Sequence, residues 1–464
     1  MKGYLLIDFG STYTKLTAVD IENEEIAATA KDITTVDTDI MIGFNKACDK
    51  INSILKEKNI EIDYIKKLAC SSAAGGLKMV AIGLVPDLTS EAAKRAALGA
   101  GARVLKVYSF QLSQREVEEI KNSNLDIILL AGGTDGGNQE CIIHNAKMLR
   151  DAGIELPVVV AGNKSAADQV EDILKDGNIY YRVCDNVMPS LNHLNVEPAR
   201  EIIRDIFMEK IVEAKGMSTA ESYINGILMP TPAAVLNAGK ALSEGSEEED
   251  GISDLIILDI GGATTDVHSL AYGEPSRSGV TLRGLEEPYA KRTVEGDLGM
   301  RYSTLSLLEA CGKRKIKKYL SKKERDIEKE CERRHRDIRM VPQNEEDTDF
   351  DEAMAKAATE VSMERHVGFI ENTYTPTGVL FTQTGKDLTK VKYLIGTGGV
   401  LVHSDNPKAI LKAGLFNIEQ PNYLKPEQPK LLLDKYYILS AMGLLAEEDK
   451  NLAIRLMKKY LVEV

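Results

Sequence analysis

The chain has 464 residues, enough for about two to four domains that each bury a core of their own. A formal net charge of −13 argues against nucleic acid as a partner, because phosphate binding needs a positive footprint. A hydrophobic fraction of 43% with 36 glycines fits mixed α/β structure and argues against disorder.

Taken in chain order, Gly3–Phe9, Lys15–Val19 and Glu25–Lys31 are short apolar runs bounded by turn residues, as buried strands are. Asp8 breaks the first run long before the length of a signal segment, and no run approaches the roughly 18 apolar residues of a membrane span. A long amphipathic helix is predicted from Thr38 to Lys58, then a strand at Leu68–Ser72. Strands at Val104–Phe110, Leu125–Leu130, Leu156–Val160 and Ile179–Val183 alternate with helices starting near Gln114, Asn138 and Ser165. Such alternation implies right-handed crossovers and a parallel sheet, hence an inserted α/β domain over about 75–220. An acidic loop, Glu244–Asp254, precedes a second strand-rich start at Leu255–Ile260. The charged stretch Lys313–Arg339 reads as a solvated helix face, followed by an acidic linker, Glu345–Glu352. The last strand is Tyr393-Leu394-Ile395, leading to a glycine turn and C-terminal helices. Six cysteines are scattered without a C-x-x-C pair, and six histidines without metal-ligand spacing, so neither a disulfide framework nor a zinc site is supported. The expectation is a cytoplasmic protein with no membrane partner.

Three segments carry the chemistry. Ile7-Asp8-Phe9-Gly10-Ser11-Thr12-Tyr13-Thr14-Lys15 and Leu258-Asp259-Ile260-Gly261-Gly262-Ala263-Thr264-Thr265-Asp266 share one plan: a buried strand ends in Asp, turns through Gly and hydroxyl residues, and resumes. Glycine lets a turn approach a phosphate closely and presents backbone N–H groups as anion donors. Ser11, Thr12, Thr264 and Thr265 add hydroxyls, Lys15 suits phosphate charge, and the carboxylates of Asp8 and Asp259 suit hydrated Mg2+. The third segment, Gly396-Thr397-Gly398-Gly399, follows a strand. No G-x-x-x-x-G-K-[ST] sequence is present, so this is not a P-loop protein.

The order and content of these segments resemble the actin, heat-shock chaperone and sugar-kinase superfamily. That resemblance implies an α/β fold with two ribonuclease H-like domains of actin-like ATPase type, an inserted α/β domain and a helical subdomain. The first ribonuclease H-like domain would occupy 1–74, the insertion 75–220, a connecting helix and acidic loop 221–250, and the second domain 251–464 with charged helices at 300–370. It implies ATP and Mg2+ as cofactors. Asp8, Gly10, Ser11, Thr12 and Lys15 match the first phosphate motif, and Asp259, Gly261, Gly262, Thr264 and Asp266 the second. Gly396, Gly398 and Gly399 match the adenosine motif, and Met229-Pro230-Thr231-Pro232 opens the connecting helix. Chaperones of the group carry Glu before that Pro-Thr to position the attacking water; Met229 stands there in this chain, which favours slow hydrolysis or a switch.

A closer resemblance rests on the opening, on Ala131-Gly132-Gly133-Thr134-Asp135-Gly136-Gly137-Asn138 and on Glu295-Gly296-Asp297-Leu298-Gly299-Met300-Arg301. These look like the glutamate mutase accessory protein family, GlmL or MutL, which is distinct from mismatch-repair MutL. It implies an ATP-driven reactivating chaperone whose partners are the subunits of an adenosylcobalamin-dependent mutase. The alternative is a small-molecule kinase or an ATP-dependent hydantoinase or oxoprolinase-like hydrolase. From the residues alone, the Gly132–Gly137 turn suits either an anion at a helix start or a plain strand-to-helix connection. Ser165 is the expected N-cap of the next helix, and Asp297 suits either a ligand contact or a helix cap.

Overall fold

The computed structural model describes residues 1–35, 39–72, 77–212, 224, 227–321, 325–376 and 378–464. The expected domain boundaries at 74/75 and 220/221, and the expected helix start at Thr38, lie outside the described residues.

From edge to edge the first sheet runs Glu25–Ile33, Tyr13–Asp20, Lys2–Phe9, Asp63–Ser71 and Ile227–Pro230. Its first three strands pair antiparallel and the last two join parallel. Lys2–Phe9 is central and covered on both faces, which is why its sequence is nearly unbroken in apolar residues. Leu5, Ile7 and Phe9 pack with the helix Ile40–Glu57, whereas Tyr4 and Leu6 share a core with the helices of the other half. Asp39 starts that helix by accepting a hydrogen bond from the Met41 amide at 2.8 Å.

The second sheet repeats the plan: Ala290–Glu295, Thr265–Leu270, Leu255–Ile260, Tyr393–Thr397 and Lys430–Leu433, closed by Val462–Glu463. Again three antiparallel strands are followed by two parallel ones. The helices repeat too. Ile40–Glu57 and Glu345–His366 stand between third and fourth strands, and Thr231–Glu244 and Leu439–Leu445 follow the fifth. This is a duplicated ribonuclease H-like fold. The last two helices pack against each other where the halves meet, so closely that a Cβ on Gly443 would lie 1.8 Å from the Ala234 carbonyl oxygen.

A third sheet is inserted before the fifth strand of the first. It is parallel throughout, in the order Arg103–Ser109, Lys78–Gly83, Ile127–Leu130, Val158–Val160 and Tyr181–Val183. The alternating pattern foretold its parallel character but not Lys78–Gly83 nor the helices Glu91–Gly99 and Glu197–Val212. The buried face of Glu91–Gly99 is built largely from Ala92, Ala93, Ala96 and Ala97, too small to stand out as an apolar period. Helix Ala167–Asp176 is entered through a 3₁₀ turn capped by Asn163, not by the expected Ser165, because the Asn163 carboxamide accepts the Ser165 amide at 2.9 Å.

Two further expectations are corrected. The acidic linker Glu345–Glu352 is the opening of a 22-residue helix, Glu345–His366, where carboxylates favour the positive helix N-terminus and Asn344 caps Asp347. The charged stretch 313–339 comprises two helices, Thr304–Tyr319, kinked at Gly312, and Ile327–Arg336, and it is not simply a solvated face. Arg334 is fully buried, lies over the Phe350 ring and donates to Asp351 at 2.6 Å. Among the described residues no helix is long and apolar enough to cross a membrane.

Candidate functional site

The two Asp-Gly segments form the same hairpin. The Gly10 amide donates to the Tyr13 carbonyl at 3.1 Å, and the Gly261 amide to the Thr264 carbonyl at 2.9 Å. A Cβ would stand 2.6 Å from the Tyr13 oxygen at Gly10 and 3.0 Å from the Thr264 oxygen at Gly261, so the turn admits little but glycine. The hairpins face each other across the molecule: a Cβ on Gly262 would lie 3.9 Å from Thr12 Oγ1. Ser11 is exposed at the tip of the first turn and Thr12 half-buried beside it.

The duplication makes Lys15 and Asp266 counterparts. Lys15 sits opposite Asp8 in the first hairpin, and Asp266 opposite Asp259 in the second. In the first, the carboxylate meets a cation. Asp8 is buried; its Oδ2 accepts from Lys15 Nζ at 3.0 Å and from Ser440 Oγ at 3.0 Å, and its Oδ1 accepts from Thr231 Oγ1 at 2.7 Å. Thr231 and Ser440 begin the two helices that meet between the halves, so Asp8 ties both to the first Asp-Gly hairpin. Burial disfavours the Lys15 charge, but Asp8, the Tyr437 hydroxyl and Asp259 outweigh it and hold the ammonium protonated. The ammonium lies 3.6 Å from the Tyr437 ring centroid.

In the second hairpin the carboxylate meets another carboxylate. Burial first, then Asp266, Asp8 and Asp434, push the Asp259 pKa up to about 7 against the opposing pull of Lys15. Asp266 is itself neutralised by Arg292, whose Nη2 donates to its Oδ1 at 2.6 Å. None of the described side chains donates to Asp259, which is half-buried. Of the two carboxylates expected to hold a metal, Asp259 therefore has oxygens to offer and Asp8 has its oxygens engaged. A hard divalent cation taking oxygen ligands fits this charge-rich, donor-poor place.

The third segment closes against the second hairpin. Gly398 has φ +100°, and a Cβ there would stand 2.4 Å from the Ile260 oxygen and 2.9 Å from Asp259 Oδ1. Gly396 is packed beneath Leu401 and Leu411, and Gly399 opens the short helix Gly399–His403 with free space around it. Thr397 donates to buried Asp434 at 3.0 Å, and Asp434 also accepts the Ile438 and Leu439 amides that start the helix Leu439–Leu445. A cavity of about 640 Å³ spans the two halves beside Lys15; Lys31, Lys50, His403, Lys435 and Tyr437 line it. Its charged groups are mainly cationic but include Asp49, and Leu16, Ala30, Ile54 and Val402 give it apolar walls.

Several supports were not foreseen. The Met300, Arg301 and Tyr302 amides donate to the carbonyls of Gly261 and Gly262 at 2.8–3.0 Å, Thr265 Oγ1 donates to the Leu298 carbonyl, and Gly299 lies hard against Ala263. The Glu295–Arg301 segment is thus the buttress of the second Asp-Gly hairpin; Asp297 pairs with Arg365 at 2.8 Å. The Gly132–Gly137 turn is held from below by Asn163, which receives the Gly136 amide, and by Asn186, which donates to the Gly133 carbonyl. Asp434 carried a signal that could have been read, since it too ends an apolar strand, Leu431-Leu432-Leu433. Ser440 and Arg292 carried none, because their partners are far away in the chain.

His268, one strand position pair beyond Asp266, is buried with neither ring nitrogen hydrogen-bonded among the described residues. Burial and then Arg292 lower its pKa to about 3, partly opposed by Asp266. The folded pKa lies below the unfolded value, so stability present above about pH 6.5 is lost as the pH falls and the unfolded chain takes up the proton. By pH 5 the loss is expected to be on the order of 2 kcal/mol. Urea midpoints at pH 7 and pH 5 measure it, and His268→Phe should shrink the difference.

A sequence profile of the family described as MutL protein matches residues 4–461. A curated relative, Protein MutL of Clostridium tetanomorphum, is 69% identical over 464 residues, covering 100% of both chains. The chain belongs to the MutL family. Among solved structures, this MutL-family chain is similar at 11% identity to a xylulose kinase from Lactobacillus acidophilus, covering 100% of this chain and 93% of that one with a TM-score of 0.34. It is similar at 12% identity to Plasmodium falciparum glycerol kinase with ADP, covering 98% and 92% with a TM-score of 0.34. It is also similar at 10% identity to a glycerol dehydratase reactivase, covering 96% and 99% with a TM-score of 0.29.

Proposed function

We propose that this MutL-family chain binds Mg-ATP between its two ribonuclease H-like halves and uses it to reactivate an adenosylcobalamin-dependent mutase. The observation that carries the nucleotide reading is the pair of facing hairpins, with Asp259 left without a donor and Asp8 joined to Lys15, Thr231 and Ser440. In this reading the turn amides of Gly10–Thr12 and Gly261–Thr264 receive phosphate oxygens, and Lys15 supplies a fixed positive charge. Asp259 would hold the Mg2+, which neutralises phosphate charge when bound. Gly396 and Gly398 let the third segment close against its neighbours, and Gly399, with nothing within 4 Å of a Cβ there, would leave room for the nucleoside. Asp8 connects the phosphate hairpin to both hinge helices, so a phosphate that displaces Lys15 also alters the hold on Thr231 and Ser440, a hinge switch. Met229, buried where a water-positioning carboxylate would stand, fits slow hydrolysis. The mutase as partner, and a cytoplasmic place of action, follow from family resemblance.

ATP hydrolysis is measured with the purified protein alone and with a mutase inactivated by its own turnover. The expected result is hydrolysis stimulated by the mutase, and mutase activity regained only with ATP and fresh cofactor. Nucleotide binding without any effect of the mutase would overturn the reactivase reading and turn the search to small acceptor molecules. Asp259→Asn is expected to weaken nucleotide binding about 10- to 100-fold with Mg2+ present and little with the metal chelated, read by titration calorimetry.

A further inference from the structure

The inserted sheet belongs to the first half by chain connectivity, but it leans on the second. Helix Glu91–Gly99 lies along the segment 286–295: Arg95 Nη2 meets Glu287 Oε1 at 3.2 Å, and Arg95 Nη1 donates to the Glu286 carbonyl at 2.7 Å. The Arg103 guanidinium packs on Gly296, where a Cβ would stand 2.5 Å from its Nη2. Arg292 is the contact that also reaches the second phosphate hairpin. Its Nε and Nη2 donate to Asp266 Oδ1 at 2.9 and 2.6 Å, and its Nη1 donates to the carbonyls of Leu98 and Ala102 at 3.1 and 3.4 Å. Those carbonyls close the helix Glu91–Gly99 just before strand Arg103–Ser109 of the inserted sheet. The other carboxylate oxygen, Asp266 Oδ2, accepts the hydroxyl of Thr264 at 2.8 Å, and Thr264 is in the hairpin turn itself. Arg292 and Asp266 are both buried, so water does not compete for these bonds.

Resting on the nucleotide reading above, we propose that Arg292 is a positioning residue that couples the second phosphate hairpin to the inserted domain. A ligand that engages the Thr264 hydroxyl removes a donor from Asp266. The carboxylate is then drawn more strongly to Arg292, and Arg292 has less to give the carbonyls at the end of helix 91–99. The relay has one charged pair at its centre and runs from the Thr264 hydroxyl to the Leu98 and Ala102 carbonyls, so a side-chain change at the hairpin becomes a change in how firmly the inserted domain is seated. The coupling is reciprocal: a protein partner that shifts the inserted domain would alter nucleotide affinity by the same factor.

The test is backbone hydrogen exchange of residues 91–109 in the full chain, without nucleotide and with saturating Mg-ATP or Mg-ADP, after titration has established binding. In the wild type, nucleotide is expected to change exchange of this segment by about three-fold or more. In Arg292→Met nucleotide should still bind, but the segment should no longer respond. Arg292→Lys keeps the buried positive charge and cannot reach Asp266 and both carbonyls together; it should fold and at least halve the response. A purely structural role for Arg292 would lower the melting temperature of the variants and leave the response to nucleotide intact, which overturns the proposal. Binding to the wild type without a response at 91–109 also overturns it, and leaves the nucleotide reading standing. Failure of the wild type to bind nucleotide at all overturns both.

Discussion

Asp8→Ala is expected to destabilise the protein by about 3–5 kcal/mol and to abolish nucleotide binding, because it breaks a buried pair and leaves a cation uncompensated. Asp8 is 2% exposed, and Lys15, which would be stranded, is 17% exposed at its side chain. Thr231 and Ser440 would lose an acceptor at the same time. Asp8→Asn keeps one carbonyl acceptor and should cost less stability than Asp8→Ala, while still failing to hold Lys15. Denaturant midpoints of the two variants, compared with the wild type, read the stability. Fluorescence titration with a labelled nucleotide reads the binding. A stability loss within about 1 kcal/mol for Asp8→Ala would mean that the Asp8–Lys15 pair is solvated in solution.

Gly443→Ala is expected to be the most damaging single-methyl addition among the described glycines. The new Cβ would stand 1.8 Å from the Ala234 oxygen and 2.5 Å from its carbonyl carbon. Both obstacles are backbone of the facing helix, so no side chain can turn aside; the helices Thr231–Glu244 and Leu439–Leu445 must separate. The Asn237 carboxamide, which donates to the Gly443 carbonyl at 2.9 Å, would be stretched in the process. Overpacking of this kind typically costs about 1–3 kcal/mol, and here the upper end or beyond is expected because backbone meets backbone. Gly399→Ala is the stability control, since a Cβ there meets nothing within 4 Å. Thermal melts of the two variants make the comparison: a fall of several degrees for Gly443→Ala and little change for Gly399→Ala is the expected result. Since the two helices also carry Thr231 and Ser440, Gly443→Ala should weaken nucleotide binding without touching either Asp-Gly hairpin.

The amino-acid sequence by itself determined the two hairpins and the glycine turn that closes on them. The signal was local: an apolar run ending in Asp, then Gly and hydroxyl residues, specifies a strand and a tight turn whatever surrounds it. It also determined the parallel insertion, because strands and helices alternating at short spacing have few other ways to pack. Small-residue packing escaped that pattern, as at Ala92, Ala93, Ala96 and Ala97, and so did the role of Glu345–Glu352, whose acids looked like a solvated linker until Arg333, Arg334 and Arg301 were brought against them. Only the tertiary structure decided the partners of the site. Asp8 and Asp259 are alike in sequence, yet one faces Lys15 and the other Asp266, and this makes one a saturated tie between helices and the other an unsatisfied carboxylate. Ser440 is 432 residues from Asp8, and Leu98 is 194 residues from Arg292. Hydrogen bonds of that span depend on how the halves are stacked, and a charge's environment, unlike a strand or a turn, is a property of the assembled fold.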